Sequence, residues 1–252
     1  MITLKSEREL DYMRKAGSAL AQILDEMSAM AKPGVTTGEL DQYAESRCRE
    51  LKVKPAFKGY HGFPSCVCIS VNEEVVHGIP SPKRVLKDGD IVGLDFGVIY
   101  EGWYSDSART VPVGKISPEA QKLIDVTRDG LFKGIEQCHE GNRVLDIGFA
   151  IQNYVEAFKY SVVREFVGHG IGRALHEEPQ VPNFGAKGKG IPLKVGMVLA
   201  IEPMVNNGSP EVKVLKDGWT AVTVDRSLSA HFEHTVAIMP KGPEILTLGS
   251  KT

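Results

Sequence analysis

Two ten-residue stretches of this chain, Leu86-Lys87-Asp88-Gly89-Asp90-Ile91-Val92-Gly93-Leu94-Asp95 and Leu193-Lys194-Val195-Gly196-Met197-Val198-Leu199-Ala200-Ile201-Glu202, align without a gap. Three of the ten positions are identical, and five more are similar in size or charge. Each stretch ends in an apolar, strand-like run that carries a carboxylate, Asp95 or Glu202. Such self-similarity favours a fold of two similar halves, roughly 1–113 and 114–252, within one unit. A pseudo-twofold between the halves would bring the equivalent carboxylates towards a common centre.

The periodicity around the repeat has the same order twice, two helices and then strands. Leu10, Met13, Leu20, Ile23, Leu24, Met27 and Met30 recur at helical spacing, with Ser6 and Glu9 as a capping box and Pro33-Gly34 as the stop. A second box, Thr36 with Glu39, opens a helix carrying Leu40, Ala44, Cys48 and Leu51 on one face. Strand-like sequence follows at Cys66 to Val71, Asp90 to Tyr100 and Tyr104 to Val113. Ser117-Pro118-Glu119 starts a third helix. Asp146 reads as the N-cap of a fourth, with Ile147, Ile151, Tyr154, Val155 and Phe158 inward. Strands return at Ser161 to Val167, Met197 to Val205 and His231 to Met239.

Composition narrows the function classes. Thirty Lys and Arg against 32 Asp and Glu give a net charge of −2, which argues against a general nucleic-acid binder. The longest strictly apolar run is Met197 to Ile201, too short to span a membrane. The sequence around Ser6-Glu7-Arg8-Glu9 has no apolar core of a secretory signal, so a cytoplasmic protein is expected. Cys48, Cys66, Cys68 and Cys138 lack the paired spacing of a zinc site and read as reduced, buried thiols. No HExxH helix, GxSxG elbow or Walker loop occurs, and Gly168-His169-Gly170-Ile171-Gly172 is not the dinucleotide fingerprint.

The chemistry rests on acids placed in apolar strands. Asp95 and Asp106 flank a turn near Glu101-Gly102, and cross-strand pairing puts both on one face. Glu202 ends Val198-Leu199-Ala200-Ile201, and Glu233 precedes another apolar strand. Two ionised carboxylates ~5 Å apart repel by roughly 3 kcal/mol at an effective dielectric of ~20. No Lys or Arg stands beside Asp95 or Glu202 on their strands, so a pair of divalent cations would supply the missing charge. His169, between glycines, is a fifth candidate ligand, and His176 and His77 offer two further imidazoles.

In their order and surroundings, Asp95, Asp106, His169, Glu202 and Glu233 resemble the metal ligands of the methionine aminopeptidase family. The resemblance extends through Tyr60-His61-Gly62-Phe63-Pro64, Val76-His77-Gly78-Ile79-Pro80, His176-Glu177-Glu178-Pro179, Ile201-Glu202-Pro203 and Ser229-Ala230-His231-Phe232-Glu233-His234-Thr235. It implies the α/β pita-bread fold, a curved antiparallel sheet backed by two helix pairs. The short interval from His169 to Glu202 and the absence of a zinc-finger extension point to the type I, bacterial-like class. It further implies two divalent ions, Co, Mn, Fe or Zn, bridged by Asp106 and Glu233, with Asp95 completing one sphere and His169 and Glu202 the other. Glu202 would act as the base, His176 would stabilise the oxyanion, and His77 would hold the peptide beyond the scissile bond. Tyr60, Phe63, Cys68, Leu175, Met204 and Trp219 would line the methionine pocket.

The implied activity is removal of the initiator methionine from nascent polypeptide N-termini when the second residue is small. A monomer is implied, meeting nascent chains near the ribosome, with Lys187, Lys189 and Lys194 available for that contact. Three residues depart from the family pattern: Phe57 stands for Cys, Leu175 for Phe, and His231 for Gln. The competing readings are an X-Pro aminopeptidase of the prolidase kind and a non-catalytic pita-bread binding module.

Overall fold

The helices begin where their capping chemistry directs. In α1 (Glu7–Met30) the Glu9 carboxylate accepts the Ser6 N–H at 2.8 Å, and in α2 (Thr37–Leu51) Glu39 accepts the Thr36 N–H at 2.7 Å. The Ser117 hydroxyl accepts the Ala120 N–H at 3.1 Å to open α3 (Pro118–Ile135). The fourth helix departs from expectation. α4 (Val144–Ala157) starts three residues earlier than an N-cap at Asp146 would set it, and Arg143 takes the N-cap position. Asp146 sits one turn in, where its carboxylate reaches back to the Arg143 N–H at 2.7 Å and also takes the Gly188 N–H at 2.6 Å. Phe158 lies just beyond the helix and is exposed, and Tyr154 is only half-buried. The computed structural model describes residues 2–248, so Met1 and 249–252 lie outside the described residues.

A nine-stranded sheet carries the fold. Its main path runs Lys54–Pro55, Ile91–Tyr100, Trp103–Pro112, Glu233–Met239, Val198–Ile201, Gly168–Gly170 and Glu177–Val181, with every pairing antiparallel. Strand Val67–Val71 pairs with Ile91–Tyr100, and Gly242–Ile245 with Glu233–Met239. Alternation assigns the two faces. Val92, Leu94, Phe96 and Val98 turn towards α1 and α2, where they meet Leu20, Ile23, Leu24, Met27 and Leu40. Leu199, Ile201, Val236 and Ile238 turn towards α3 and α4, against Leu123, Ile124, Leu131, Ile147 and Ile151. Burying each such side chain contributes about 1.5–3 kcal/mol. Both helix pairs thus cover one face of the sheet, and the intervening side chains face the other. All four cysteines are free and buried.

The repeat seen in the sequence has a structural counterpart. A turn closed by Asp90 N–H to the Lys87 carbonyl recurs as Met197 N–H to the Lys194 carbonyl, both at 3.1 Å, and Gly89 and Gly196 take φ of 94° and 87° in them. The residues before α2 and α4 make equivalent bridges, Thr36 to Val85 and Arg143 to Pro192. Strand Trp103–Pro112, from the first repeat's side of the chain, pairs with Glu233–Met239 from the second.

Two expected strands are divided. Met197 to Val205 becomes Val198–Ile201 in the main sheet and Met204–Asn206 in a small sheet with Ser161–Val162 and Ser229–His231. His231 to Met239 divides likewise at Phe232. Pro203 has no N–H for a continuous ladder, and the Asn183 amide takes up the Glu202 carbonyl at 3.0 Å. The expected strand from Ser161 to Val167 shrinks to Ser161–Val162, because the chain leaves the small sheet to enter the large one at Gly168.

Candidate metal centre and substrate pocket

Strand register brings the five candidate ligands to one face. Glu101 and Gly102, at φ 50° and 78°, form the two-residue turn between Ile91–Tyr100 and Trp103–Pro112. Gly97 therefore pairs with Asp106, and Asp95 with Ala108, which in turn pairs with Glu233. Across the next strands, Thr235 pairs with Ala200 and Ala200 with His169. Glu202 lies two residues beyond Ala200, on the same face. Ala108 and Ala200 keep the middle of this face low, leaving space among the acids. The glycines flanking His169 have a defined purpose. A Cβ on Gly168 would lie 2.3 Å from the Ala200 carbonyl oxygen, and one on Gly170 would lie 2.3 Å from that of Glu178.

Asp106, His169 and Glu233 are buried, and each offers a ligand atom within 4.8 Å of the others. Among the described residues, the only basic partners of Glu202 are two imidazoles, His169 Nε2 at 3.6 Å and His231 Nε2 at 3.8 Å. Asp95 Oδ1 and Glu233 Oε1 are buried with no hydrogen-bond partner. Burial, followed by repulsion from neighbouring carboxylates, pushes Asp95, Glu202 and Glu233 well above the usual carboxylate range. Asp106 rises to about 7 through burial, moderated by the Ser107 N–H it accepts. Burial depresses His169 to about 3 and keeps it neutral, as ligation requires. Its Nδ1 meets the Gly170 carbonyl at 2.8 Å, which places the proton there and leaves Nε2 with a lone pair. Orphaned oxygens, a neutral imidazole and, among the described residues, no Lys or Arg paired to the acids together fit a divalent-ion site with O and N donors.

Above these acids opens a cavity of about 240 Å³ lined by Tyr60, Phe63, Cys68, Leu175, Trp219 and their neighbours. Cys68 pairs with Asp95, which accounts for its place on the same face. Phe63 and Trp219 meet edge to face at 5.1 Å. His77 and His176 stand on the wall, the first lowered to about 4 by burial and the nearby His176. His176 Nδ1 meets the Tyr60 hydroxyl at 2.7 Å, and its ring crosses His169 at a centroid distance of 4.2 Å. His77 takes φ 60°, and Gly78 beside it has no room for a Cβ, which would fall 2.2 Å from the Ile69 carbonyl oxygen.

Met204 is the exception among the expected lining residues. It is absent from the cavity wall and packs instead with Val75, Val76, Val163 and Ala221, because the chain changes sheets at Pro203. Phe57 and His61 do line the cavity. His61 lies inside the Tyr60-His61-Gly62-Phe63-Pro64 stretch already singled out, so its position was available to sequence reasoning. Asn183, which holds the Glu202 backbone, had no such signal.

Comparison with known proteins agrees with this geometry. Residues 11–240 match metallopeptidase family M24. A methionine aminopeptidase of Clostridium perfringens is 58% identical over 248 residues, covering 98% of this chain and 99% of the relative. The crystal structure of a methionine aminopeptidase from Thermotoga maritima superposes with a TM-score of 0.97 at 48% identity, covering 98% of this chain and 99% of that one. A prolidase from Pyrococcus furiosus shares the pita-bread fold at a TM-score of 0.79 and 21% identity, over 98% of this chain and 66% of the prolidase. The chain belongs to metallopeptidase family M24 and, within it, to the methionine aminopeptidases of bacterial type.

Proposed function

We propose that this enzyme removes the N-terminal methionine from nascent polypeptides whose second residue is small, using two divalent ions held by Asp95, Asp106, His169, Glu202 and Glu233. The observation that carries the reading is the convergence of these five side chains on one sheet face, beneath an apolar cavity and with no Lys or Arg paired to them among the described residues. Asp106 and Glu233, buried on adjoining central strands, would hold both ions, with Asp95 helping to hold one and His169 and Glu202 the other. The ions, drawn from Co, Mn, Fe or Zn, would supply Lewis acidity and a water of lowered pKa.

The protein's own groups do the rest. Glu202, in the acid cluster lining the cavity, would take the proton from the attacking water and pass it to the leaving amine. His176, oriented by Tyr60, donates to the oxygen that develops negative charge. His77 holds the peptide beyond the scissile bond. Tyr60, Phe63, Cys68, Leu175 and Trp219 enclose a long, unbranched, polarizable side chain. A bulky second residue would crowd the cleft between His77 and His176. The reading carries with it a cytoplasmic monomer working close to the ribosome, where Lys187, Lys189 and Lys194 are exposed.

Release of free methionine from Met-Ala-Ser by purified protein tests this directly. Activity should vanish with chelator and return with Mn or Co, and Met-Leu-Ser should be cleaved far more slowly. Folded, metal-replete protein that releases no methionine would overturn the proposal.

A further inference from the structure

The proposed ligand set leaves one imidazole of the centre unused. His231 is 3% exposed, and its Nε2 is buried with no hydrogen-bond partner. That nitrogen lies 3.8 Å from Glu202 Oε2, while His169 Nε2 lies 3.6 Å from Glu202 Oε1. The Glu202 carboxylate therefore sits between two imidazoles, one at each oxygen. Only His169 has its proton placed by a backbone carbonyl, at Nδ1, which commits its Nε2 to ligation.

His231 is held more firmly than its position at a strand end suggests. Its N–H donates to Thr110 Oγ1 at 2.9 Å, the same hydroxyl donates to its carbonyl at 3.0 Å, and it pairs with Met204 in the small sheet. A rigidly held, buried donor left without an acceptor costs about 1–3 kcal/mol. Glu202 Oε2, 3.8 Å away, is an acceptor that this nitrogen faces, and a hydrogen bond would need the pair to close to ~3 Å. An imidazole carries at least one N–H in either protonation state, so the ring has a proton to give.

We propose that His231 is a positioning residue for Glu202: its Nε2–H donates to Oε2, holding Oε1 towards His169 and the ion that Glu202 and His169 share. The inference rests on the metal reading above. Holding one carboxylate oxygen leaves the other free to ligate, and neighbours that orient a ligand in this way typically govern metal affinity by 10–100-fold.

The test compares His231→Leu, which has no donor, with His231→Gln, whose amide can donate to the same oxygen. Co(II) is titrated into each metal-free protein, followed by calorimetry and visible absorption, with circular dichroism to confirm folding. Affinity in the Leu variant should fall about 10–100-fold with an altered Co(II) band, and the Gln variant should stay within about 3-fold of the parent. A Leu variant that binds Co(II) with the parent's affinity and band overturns the positioning role. Equal loss in both variants overturns it in favour of direct ligation by the imidazole. A parent protein that binds no Co(II) overturns the metal reading itself and this inference with it, a result distinct from the other two.

Discussion

Glu233 is 2% exposed, has an orphaned oxygen and, among the described residues, carboxylates as its charged neighbours, so in metal-free protein it opposes folding. Glu233→Gln removes one member of a repelling set in which each close pair costs roughly 3 kcal/mol at an effective dielectric of ~20. In chelator the variant should be more stable than the parent by about 1 kcal/mol or more. In Mn or Co it should lose both the metal-induced stabilisation and methionine release. Thermal unfolding with and without chelator checks the reversal; a variant less stable than the parent in both conditions contradicts it. The pocket side chains act differently. Leu175 is buried against the cavity, and Leu175→Ala should raise KM for Met-Ala-Ser more than it lowers kcat, because it removes contact area from the substrate and leaves the acids in place.

Strand approach is the controlling quantity at the level of elements. Gly168→Ala would force a methyl against the Ala200 carbonyl and part the strands that carry His169 and Glu202. A loss of about 2 kcal/mol or more is expected in urea unfolding, together with weaker metal binding. Between the helices, Arg47 Nε and Nη2 reach both oxygens of Glu26 at 2.7 and 2.9 Å, and hold that carboxyl below its usual range. Because the folded-state pKa is depressed, the contribution is present at neutral pH and is lost as pH falls through the depressed value. Glu26→Gln should therefore cost about 0.5–1 kcal/mol near pH 7 and progressively less as pH falls below the usual carboxylate range, read by urea titration across that span. The same level marks how far sequence could be read. The placement of Asp95 and Asp106 on one face followed from the parity of a hairpin whose turn could be located to within a residue. The division of two strands at Pro203 and Phe232 did not, because it depends on a third strand, Ser161–Val162, from elsewhere in the chain. That division misplaced Met204 and hid the approach of His231 to Glu202. Asp146 was likewise recognised as a capping group but set at the wrong position, since a carboxylate reaching back from the first turn carries the same local signature as one at the N-cap.

For the whole molecule, metal binding and folding are one equilibrium, because the candidate ligands come from strands in both halves. Ion at ~100 times its Kd should add about 2.7 kcal/mol, or roughly 5–10 °C in Tm for a chain of this size. Asp106→Asn should abolish most of that shift; an identical shift in the variant would place the ion elsewhere. The order of strands in the sheet has a consequence for synthesis. Glu233–Met239 is the next-to-last strand among the described residues, yet it lies between Trp103–Pro112 and Val198–Ile201. Until it emerges, the two flanking ladders have no partner between them and the acids no common floor. A growing chain therefore lacks one wall of the candidate centre until late in its synthesis, when that strand threads into its slot.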